Sequence, residues 1–440
     1  MNLRTLALLL RPGRADRAII ALPVAAFTIV TALVLIVVGG AQSFWTWSDD
    51  TAPLYQALAA IALALLLVPL ASLGGAAARL SARRRDERLS TLRLLGVSPA
   101  GVGLVTVIES AVLAAIGTLA GTATYLAVAP LVGLIPFRGE ALGLDGVLLS
   151  PALIAAVVGG VLAVAVGSAV LGLRRVVISP LGVRMRSTAS SVHWVRIVIG
   201  VVVIGAAYLL IQLIPQIAGL VTTIVVLALL FGAAIGVLNF VGPWALAVSA
   251  RRRLRRAQTP ERMLSARLVL DAPKAAWRQV GGVAMASFMA VFAGTGVSLM
   301  NTLGAAEPGS VDAMIPQDMR TGLVITLVAT FLMVAASVGV NQASAILDQR
   351  ELHRSLHYLG VPVETVDSAR RQAIMSPLLL TSLGSALCAA VLVFPLLGIA
   401  LIVSPDSLLT IVLVVGAGIG TVWLSTKVTG PLLESSFRAA

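Results

Sequence analysis

The sequence predicts an all-α membrane protein of about ten transmembrane helices, and two observations predict this class. Hydrophobic residues make up 58% of the 440 residues, charged residues only 12%, and the mean hydropathy is +1.00. A soluble domain is usually about 45–50% apolar and about 25% charged. Apolar stretches of roughly 20 residues, which cross a hydrocarbon core about 30 Å thick, recur along the whole chain.

Ten apolar windows are long enough to be transmembrane spans. The third and the ninth are long enough to break, and we expect breaks at Pro130 with Pro136 and at Pro395. Only a turn at Pro215 separates the fifth span from the sixth. Residues 1–17 contain four arginines and lead into an uncleaved first span. The spans are predicted at 18–42, 54–78, 101–131, 148–173, 195–214, 217–248, 279–302, 321–346, 372–402 and 407–429.

The loops between the spans alternate in charge. Arginine-rich loops cover 83–93, 174–196, 251–278 and 350–371, whereas the intervening loops have few basic residues. Because cytoplasmic loops carry an excess of Lys and Arg, we predict a multi-pass protein of the plasma (inner) membrane with both termini in the cytoplasm. We call the face with the arginine-rich loops the basic side and the opposite face the outer side. A model with nine spans would place the last three basic segments on the wrong side.

Several chemistries are not expected. Lys274 and Lys427 are the only lysines and neither lies in a glycine-rich phosphate loop, so the chain is not itself a P-loop ATPase. The net charge of +13 is explained by membrane topology, and nucleic acid is not an expected partner. The single cysteine, Cys388, can form no intramolecular disulfide and is interpreted as a packing residue.

Two loops on the basic side have related sequences, 83–97 after span 2 and 348–361 after span 8. Each combines charged residues with leucines three apart and a glycine, as in a short amphipathic helix at the membrane surface with a glycine C-cap. A loop that only fixes topology would explain one copy, but two copies at equivalent places favour a docking element. With a constant separation of 264 residues, Glu87 matches Glu351, Leu92 matches Leu356, and Leu95, Gly96 and Val97 match Leu359, Gly360 and Val361.

The stretch 85–121 resembles the core of FtsX-like permease domains of the MacB type. The segment 179–186 is similar to the end of such domains, and a second, degenerate copy covers about 345–435. In that copy Ala373 stands at the position of Glu109. The resemblance rests on Arg85, Glu87, the Leu-Leu-Gly-Val run ending at Val97, Glu109, Gly117 and Gly121.

This resemblance implies two related four-helix FtsX-like bundles, 1–190 (spans 1–4) and 251–440 (spans 7–10), joined by a two-helix linker at 191–250. Ten-span permeases of the bacitracin-efflux type are similar and work with two copies of a separate ABC ATPase. They carry a large extracellular domain between spans 7 and 8, whereas this sequence has only about 18 residues there, 301–318. The resemblance therefore implies ATPase coupling and does not extend to peptide capture.

The implied function is that of the permease subunit of an ABC transporter, for efflux or for transmission of mechanical force. ATP and magnesium would be bound by the partner ATPase, and this chain would bind no cofactor or metal. The small outer loops favour a lipid, hydrophobic peptide or amphiphilic drug that enters from the membrane, and membrane lipids are expected partners. The implied ATPase-coupling residues are Arg84, Arg85, Glu87, Leu92, Leu95, Gly96, Glu351, Leu356, Leu359 and Gly360.

Glu109 is the carboxylate best placed inside a predicted span. An intramembrane acid is a candidate functional residue, although a packing or helix-capping role is the simpler interpretation because no second acid, base or histidine accompanies it. His353 and His357 are four residues apart and could bind metal, but a solvated helix face is the simpler explanation. The alternative function is a secondary carrier or a structural membrane scaffold without an ATPase.

Overall fold

The computed structural model describes most of the chain, with gaps. It describes residues 17–83, 99–178, 220–303, 311–348, 358–403 and 405–431, together with positions 202, 205, 206, 209, 355, 356 and 433. Most of the predicted fifth span and the turn at Pro215 lie outside these residues. The chain divides into two compact units, and one of the breaks between them falls within a helix, between Ala335 and Ala336.

The first unit is a helical bundle closed on the outer side by a small hairpin. Its core contains Phe27, Leu73 and Ala114, and the last turns of helix α9, from Ala336, pack in it through Val340. A 3-10 turn, Ser43–Trp45, follows the first helix. The elements are α1 (Arg17–Gln42), α2 (Ala52–Arg83), α3 (Pro99–Gly133), β1 (Pro136–Phe137), β2 (Glu140–Ala141), α4 (Gly143–Val147) and α5 (Pro151–Ile178).

The second unit is built around helix α8, which is enclosed along most of its length. Residues 280–290 of this helix are all buried, and Phe288 packs with Ala234, Ala389 and Leu392. The elements are α6 (Leu220–Arg255), α7 (Pro260–Asp271), α8 (Pro273–Leu303), α9 (Val311–Asp348, as far as Ala335), α10 (Val363–Leu392), α11 (Phe394–Val403) and α12 (Pro405–Val428).

The described helices confirm the predicted class, an all-α membrane protein. Eight helices in the described part of the chain are long and apolar enough to cross a membrane. The count of ten stays a prediction, because span 5 lies mostly outside the described residues. Helix α2 covers span 2, and its segment Ala52–Leu66 is apolar.

The expected helix breaks are confirmed at two of the three prolines. Helix α10 ends at Leu392 and α11 begins at Phe394, directly before Pro395, whose ring removes a backbone donor from a continuous helix. Pro136 lies outside α3, in strand β1. Pro130, by contrast, is accommodated within α3, which continues to Gly133.

The arginine-rich segment 251–278 is mostly helical, although the sequence predicts a loop there. Helix α6 continues to Arg255, a short turn follows, and α7 occupies Pro260–Asp271 before α8 begins at Pro273. The prolines explain both starts, since proline at the first helical position loses no hydrogen bond. Helix α7 buries Ser265, Ala266 and Val269 and exposes its arginines.

Close packing of α1 against α3 organises the first unit. A Cβ placed on Gly117 would lie 2.5 Å from the Cβ of Phe27 and 2.9 Å from the carbonyl oxygen of Val24. At Gly121 it would lie 2.7 Å from both the carbonyl oxygen of Thr28 and the Cβ of Thr31. Small residues four apart let two membrane helices approach until their backbones touch. The two glycines of the resemblance are thus explained by packing.

We expect Gly117→Ala to destabilise the protein by about 1–3 kcal/mol, because the added methyl group must push α1 away from α3. The measurement is thermal unfolding in detergent. Gly159→Ala on α5 is the matched control, since a Cβ there meets nothing within 4 Å and alanine favours the helix. An equal loss of stability in both variants would contradict the close-packing assignment.

The outer ends of α1 and α3 are fastened by buried hydrogen bonds. The Tyr125 hydroxyl donates to the carbonyl oxygen of Val147 and accepts from the backbone N–H of Leu149, both at 2.8 Å. The side chain of Gln42 donates to the carbonyl oxygen of Leu148 at 2.7 Å. These bonds satisfy backbone groups around α4 that would otherwise be buried without partners. The loop before α5 is therefore held against both helices.

A hairpin with a two-residue turn projects Arg138 onto the outer end of α2. Arg138 and Gly139 have φ values of 54° and 80°, the left-handed conformation that matches the twist of a tight hairpin. The Arg138 guanidinium donates to both carboxylate oxygens of Asp49, at 2.7 and 3.0 Å. Its centre lies 3.7 Å from the centroid of a Trp47 ring and 4.8 Å from that of Tyr55. We call Arg138, Asp49, Trp47 and Tyr55 the outer clamp.

The outer clamp should depend on pH. Hydrogen bonding to Arg138 is the main reason that the pKa of Asp49 lies below its ordinary value. A lowered pKa in the folded state means that the clamp stabilises the protein above the ordinary Asp range and loses its effect as pH falls through the lowered pKa. We expect Arg138→Gln to lower the melting temperature at neutral pH, and this difference from the wild type should shrink below about pH 4.

Thermal unfolding at a series of pH values measures this difference. Asp50→Asn changes an exposed carboxylate next to the clamp and should leave the profile unaltered. A difference between Arg138→Gln and the wild type that is the same at every pH would show that Asp49 is not the group responsible.

Candidate functional site

The two predicted docking elements, 83–97 and 348–361, are the coupling segments. They differ in how much of each is described. Arg84, Arg85, Glu87, Leu92, Leu95 and Gly96 lie outside the described residues, and so do Glu351, His353 and His357. Of the segment 348–361, the structure describes positions 348, 355, 356 and 358–361. The described part of the site therefore belongs to the second copy.

The second coupling segment ends in a helical turn with a glycine C-cap, as predicted for this copy. Gly360 has a φ of 76°, which glycine adopts without steric cost. The backbone N–H of Val361 donates to the carbonyl oxygen of Leu356 at 3.1 Å, and that of Leu359 donates to Ser355 at 3.2 Å. The first of these bonds spans six residues, as in a Schellman motif, so the chain reverses sharply at Gly360.

This turn carries two exposed large apolar side chains. Leu359 is 78% exposed and Tyr358 is 69% exposed, whereas Leu356 is half-buried. An exposed pair of large apolar side chains beside an arginine-rich segment is unusual on a solvated loop and typical of an interaction site. Pro362 and the N-terminus of α10 follow directly.

The N-terminal half of α10 is tied to the end of α12 through a buried arginine. Arg370 is only 9% exposed. Its guanidinium donates to the Thr429 hydroxyl at 2.7 Å, to the carbonyl oxygen of Thr426 at 3.3 Å, and to Asp367 at 2.7 Å. Arg371 also donates to Asp367. Arg370 therefore joins the N-terminal half of α10 to the last turn of α12 and to Thr429, which follows that turn.

Helix α7 contacts the same region from the other side. It packs against α10, and the Thr365 hydroxyl approaches a carboxylate oxygen of Glu261 at 3.5 Å. A hydrogen bond from the Thr259 hydroxyl is the main reason that the pKa of Glu261 lies below its ordinary value, and Thr365 contributes in the same direction. Glu261 therefore remains ionised near neutral pH, at the N-terminus of α7 where negative charge is favourable.

Glu109 occupies a half-buried position on α3 beside the buried Ser110. It stands two turns before Gly117, the first glycine that α1 contacts. A packing role and a transport role both remain predictions. Sequence inspection missed the role of Arg370, since the charge pattern identified the segment 350–371 only as a topological signal.

The packing pattern of α1 and α3 has a counterpart in the second unit, between α8 and α10. The hydroxyl groups of Ser287 on α8 and Ser382 on α10 are hydrogen-bonded at 2.8 Å. With the separation of 264 residues, Gly117 and Gly121 correspond to Thr381 and Ser385, which are both small and buried. Each unit thus has a close helix pair built on small residues at equivalent positions of the predicted repeat.

The eight described helices that are long and apolar enough to cross a membrane define a polytopic membrane protein. Residues 60–181 match the family model described as FtsX-like permease C-terminal. The chain carries an FtsX-like permease domain in this region, which includes most of α2, all of α3 and α5, and the hairpin. In general terms, this match supports a membrane subunit of the ABC permease type, and members of that family are membrane components of transporters and not themselves the ATPase. Among curated proteins, none matches this chain.

We expect Asp367→Asn to destabilise the second unit by about 2 kcal/mol, because Arg370 would keep its buried charge and lose the carboxylate. This loss is smaller than that for a fully buried pair, since both side chains retain some exposure. Unfolding in detergent measures the loss. Glu364→Gln, an exposed acid in the first turn of the same helix, is the matched control and should change stability by less than about 0.5 kcal/mol. Equal effects would show that the ion pair has no special role.

Proposed function

We propose that this chain is the permease subunit of an ATP-driven transporter, that it binds two copies of a separate ABC ATPase, and that the segments 83–97 and 348–361 are the docking elements. The FtsX-like domain at 60–181 carries this proposal, because its limits enclose the first of the two segments. The second segment supports it through the exposed Leu359 at the capped turn. ATP and magnesium would be bound by the ATPase and not by this chain.

Two sets of contacts would transmit force from a docked ATPase to the helices of the second unit. Pressure on the turn at Gly360 acts on the N-terminus of α10, which Arg370 joins to the end of α12. Helix α10 also packs closely against α8, the enclosed helix of the same unit. A rigid, hydrogen-bonded helix pair moves as one body, so nucleotide-driven motion would shift several helices of the unit together.

The substrate class follows from the small outer loops. The segment between α8 and α9 is short, and the outer clamp engages Asp49 of the loop after α1. A substrate would therefore reach the helices through the membrane, which favours a lipid, a hydrophobic peptide or an amphiphilic drug. Transmission of force to another membrane protein would use the same coupling.

Affinity purification of the tagged protein from its own cells tests the docking assignment, with mass spectrometry used to detect polypeptides that contain a P-loop motif. We expect an ATPase to co-purify with the wild type. Charge reversal at Arg85, Glu87 and Glu351, or Leu359→Asp alone, should reduce its recovery about ten-fold or more, as loss of an interface anchor does.

Leu144→Asp is the matched control, since Leu144 is also an exposed leucine but lies in the short α4 on the outer side. It should leave the recovery of the ATPase unchanged. Absence of any ATPase from the wild-type preparation would contradict the transporter assignment and favour a secondary carrier or scaffold. Recovery that survives both docking variants would contradict the docking residues alone.

A further inference from the structure

A cavity on the second unit lies between the N-terminal half of α10 and the C-terminal end of α12. It has a volume of about 360 Å³ and is lined by Ser368, Arg371, Gln372, Met375 and Trp423. The Lys427 ammonium lies 3.8 Å from the centroid of a Trp423 ring, so a second cation stands at the edge of the cavity. The segments 83–97 and 348–361 contribute no residue to this cavity.

The described charged groups around the cavity carry a net positive charge. Arg370, Arg371 and Lys427 supply three positive charges, and Asp367, which accepts from both arginines, supplies one negative charge. Arg370 is committed to Thr426 and Thr429 behind the cavity. Arg371 has five N–H donors and is a third exposed, so it retains donors that can face the cavity. Gln372 and Ser368 add neutral donors.

The position of the cavity along its helices fits the headgroup layer of a membrane. Lys427 is in the last turn of α12, and Trp423 lies one turn before it. Tryptophan and basic residues at the end of a membrane-crossing helix are typical of the interface between headgroups and acyl chains. By the charge pattern, this end belongs to the basic side, where the inner leaflet supplies anionic lipids.

An exposed apolar stripe continues from the cavity along α10 toward the middle of the helix. Met375 lines the cavity, and Leu379, Leu383 and Leu387 follow at intervals of four residues on the same face. Leu383 is 69% exposed and Leu387 is 67% exposed. A cationic cavity that leads into an apolar stripe matches a phosphate joined to an acyl chain better than it matches a free anion.

We propose that this cavity binds the phosphate headgroup of an anionic phospholipid from the inner leaflet, with Arg371 and Lys427 on the phosphate and the acyl chain along Met375, Leu379 and Leu383. Trp423 positions Lys427 and faces the glycerol region. This site goes beyond the proposed function and does not depend on ATPase docking. A lipid bound there lies against the same helix ends that Arg370 connects, so it would stabilise the junction of α10 and α12.

Native mass spectrometry in a neutral detergent tests the site, with dioctanoyl phosphatidylglycerol as the probe. The wild type should bind this lipid more tightly than dioctanoyl phosphatidylcholine. Arg371→Gln with Lys427→Gln should weaken phosphatidylglycerol binding roughly twenty-five-fold, about five-fold for each charge removed. Binding of the phosphatidylcholine probe should be unaffected.

Arg262→Gln with Arg267→Gln is the charge-matched control, because it removes two exposed arginines of α7 that do not line the cavity. It should leave the affinity unchanged. An equal loss in the control, or no loss in the cavity variant, would overturn the proposal. Glycerol 3-phosphate is the third probe. If it binds as tightly as dioctanoyl phosphatidylglycerol does, the assignment to a phospholipid is overturned.

Correct folding of the variants is checked by gel filtration and by the melting temperature in phosphatidylcholine nanodiscs. If the double variant is not folded, Lys427→Gln alone keeps the test available, because Lys427 is exposed. In nanodiscs with added phosphatidylglycerol, the melting temperature of the wild type should rise as ligand binding stabilises the folded state. The melting temperature of Lys427→Gln should rise less. An identical rise in the variant and the wild type would contradict the proposal.

Discussion

The close approach of α1 and α3 at Gly117 and Gly121 is the constraint on which the first unit depends. Water drives no association between helices inside a bilayer, because lipid chains are as apolar as leucine side chains. Shape and hydrogen bonds must therefore hold the helices, and two backbones in contact provide both close packing and precise register. The bonds of Tyr125 and the outer clamp then add polar connections at the end of the same helix pair. In the second unit, Thr381, Ser382 and Ser385 take the small-residue role on α10.

Among the described residues, buried hydroxyl and guanidinium groups find hydrogen-bond partners nearby, and the hydroxyl groups of Thr31 and Ser376 are exceptions. Threonine hydroxyls within the helices donate to carbonyl oxygens three or four residues earlier, as Thr28 and Thr326 do. Arg370 meets a stricter requirement, because a buried guanidinium needs a carboxylate and further acceptors together. The end of α12 supplies those acceptors at the point where its carbonyl groups lack helical partners. Arg370 thereby donates hydrogen bonds to acceptors at the C-terminal end of α12 and joins α10 to α12.

Hydropathy and charge predicted the helices well because both follow from the thickness and electrostatics of the bilayer. The bounds of α1, α3 and α12 agree with the predicted spans within a few residues. Helix α7 was missed because a 12-residue helix at the membrane surface has neither the length nor the apolar content of a span. The outer clamp was missed for another reason. Arg138 and Asp49 are 89 positions apart, and no local pattern reports which distant loops meet. The Gly360 cap was predictable, since glycine after a helical leucine is a local signal.

The order of synthesis gives the pairing of Arg138 with Asp49 a consequence for biogenesis. A positive charge in an outer loop opposes the orientation that the remaining arginines favour. Asp49 precedes Arg138 by 89 residues, so the acceptor for this cation is synthesised before the hairpin. The aromatic rings of Trp47 and Tyr55 emerge with it. Translocation of the loop would then be completed by capture of Arg138, and the hairpin would act as a latch against reversal of the inserted segment.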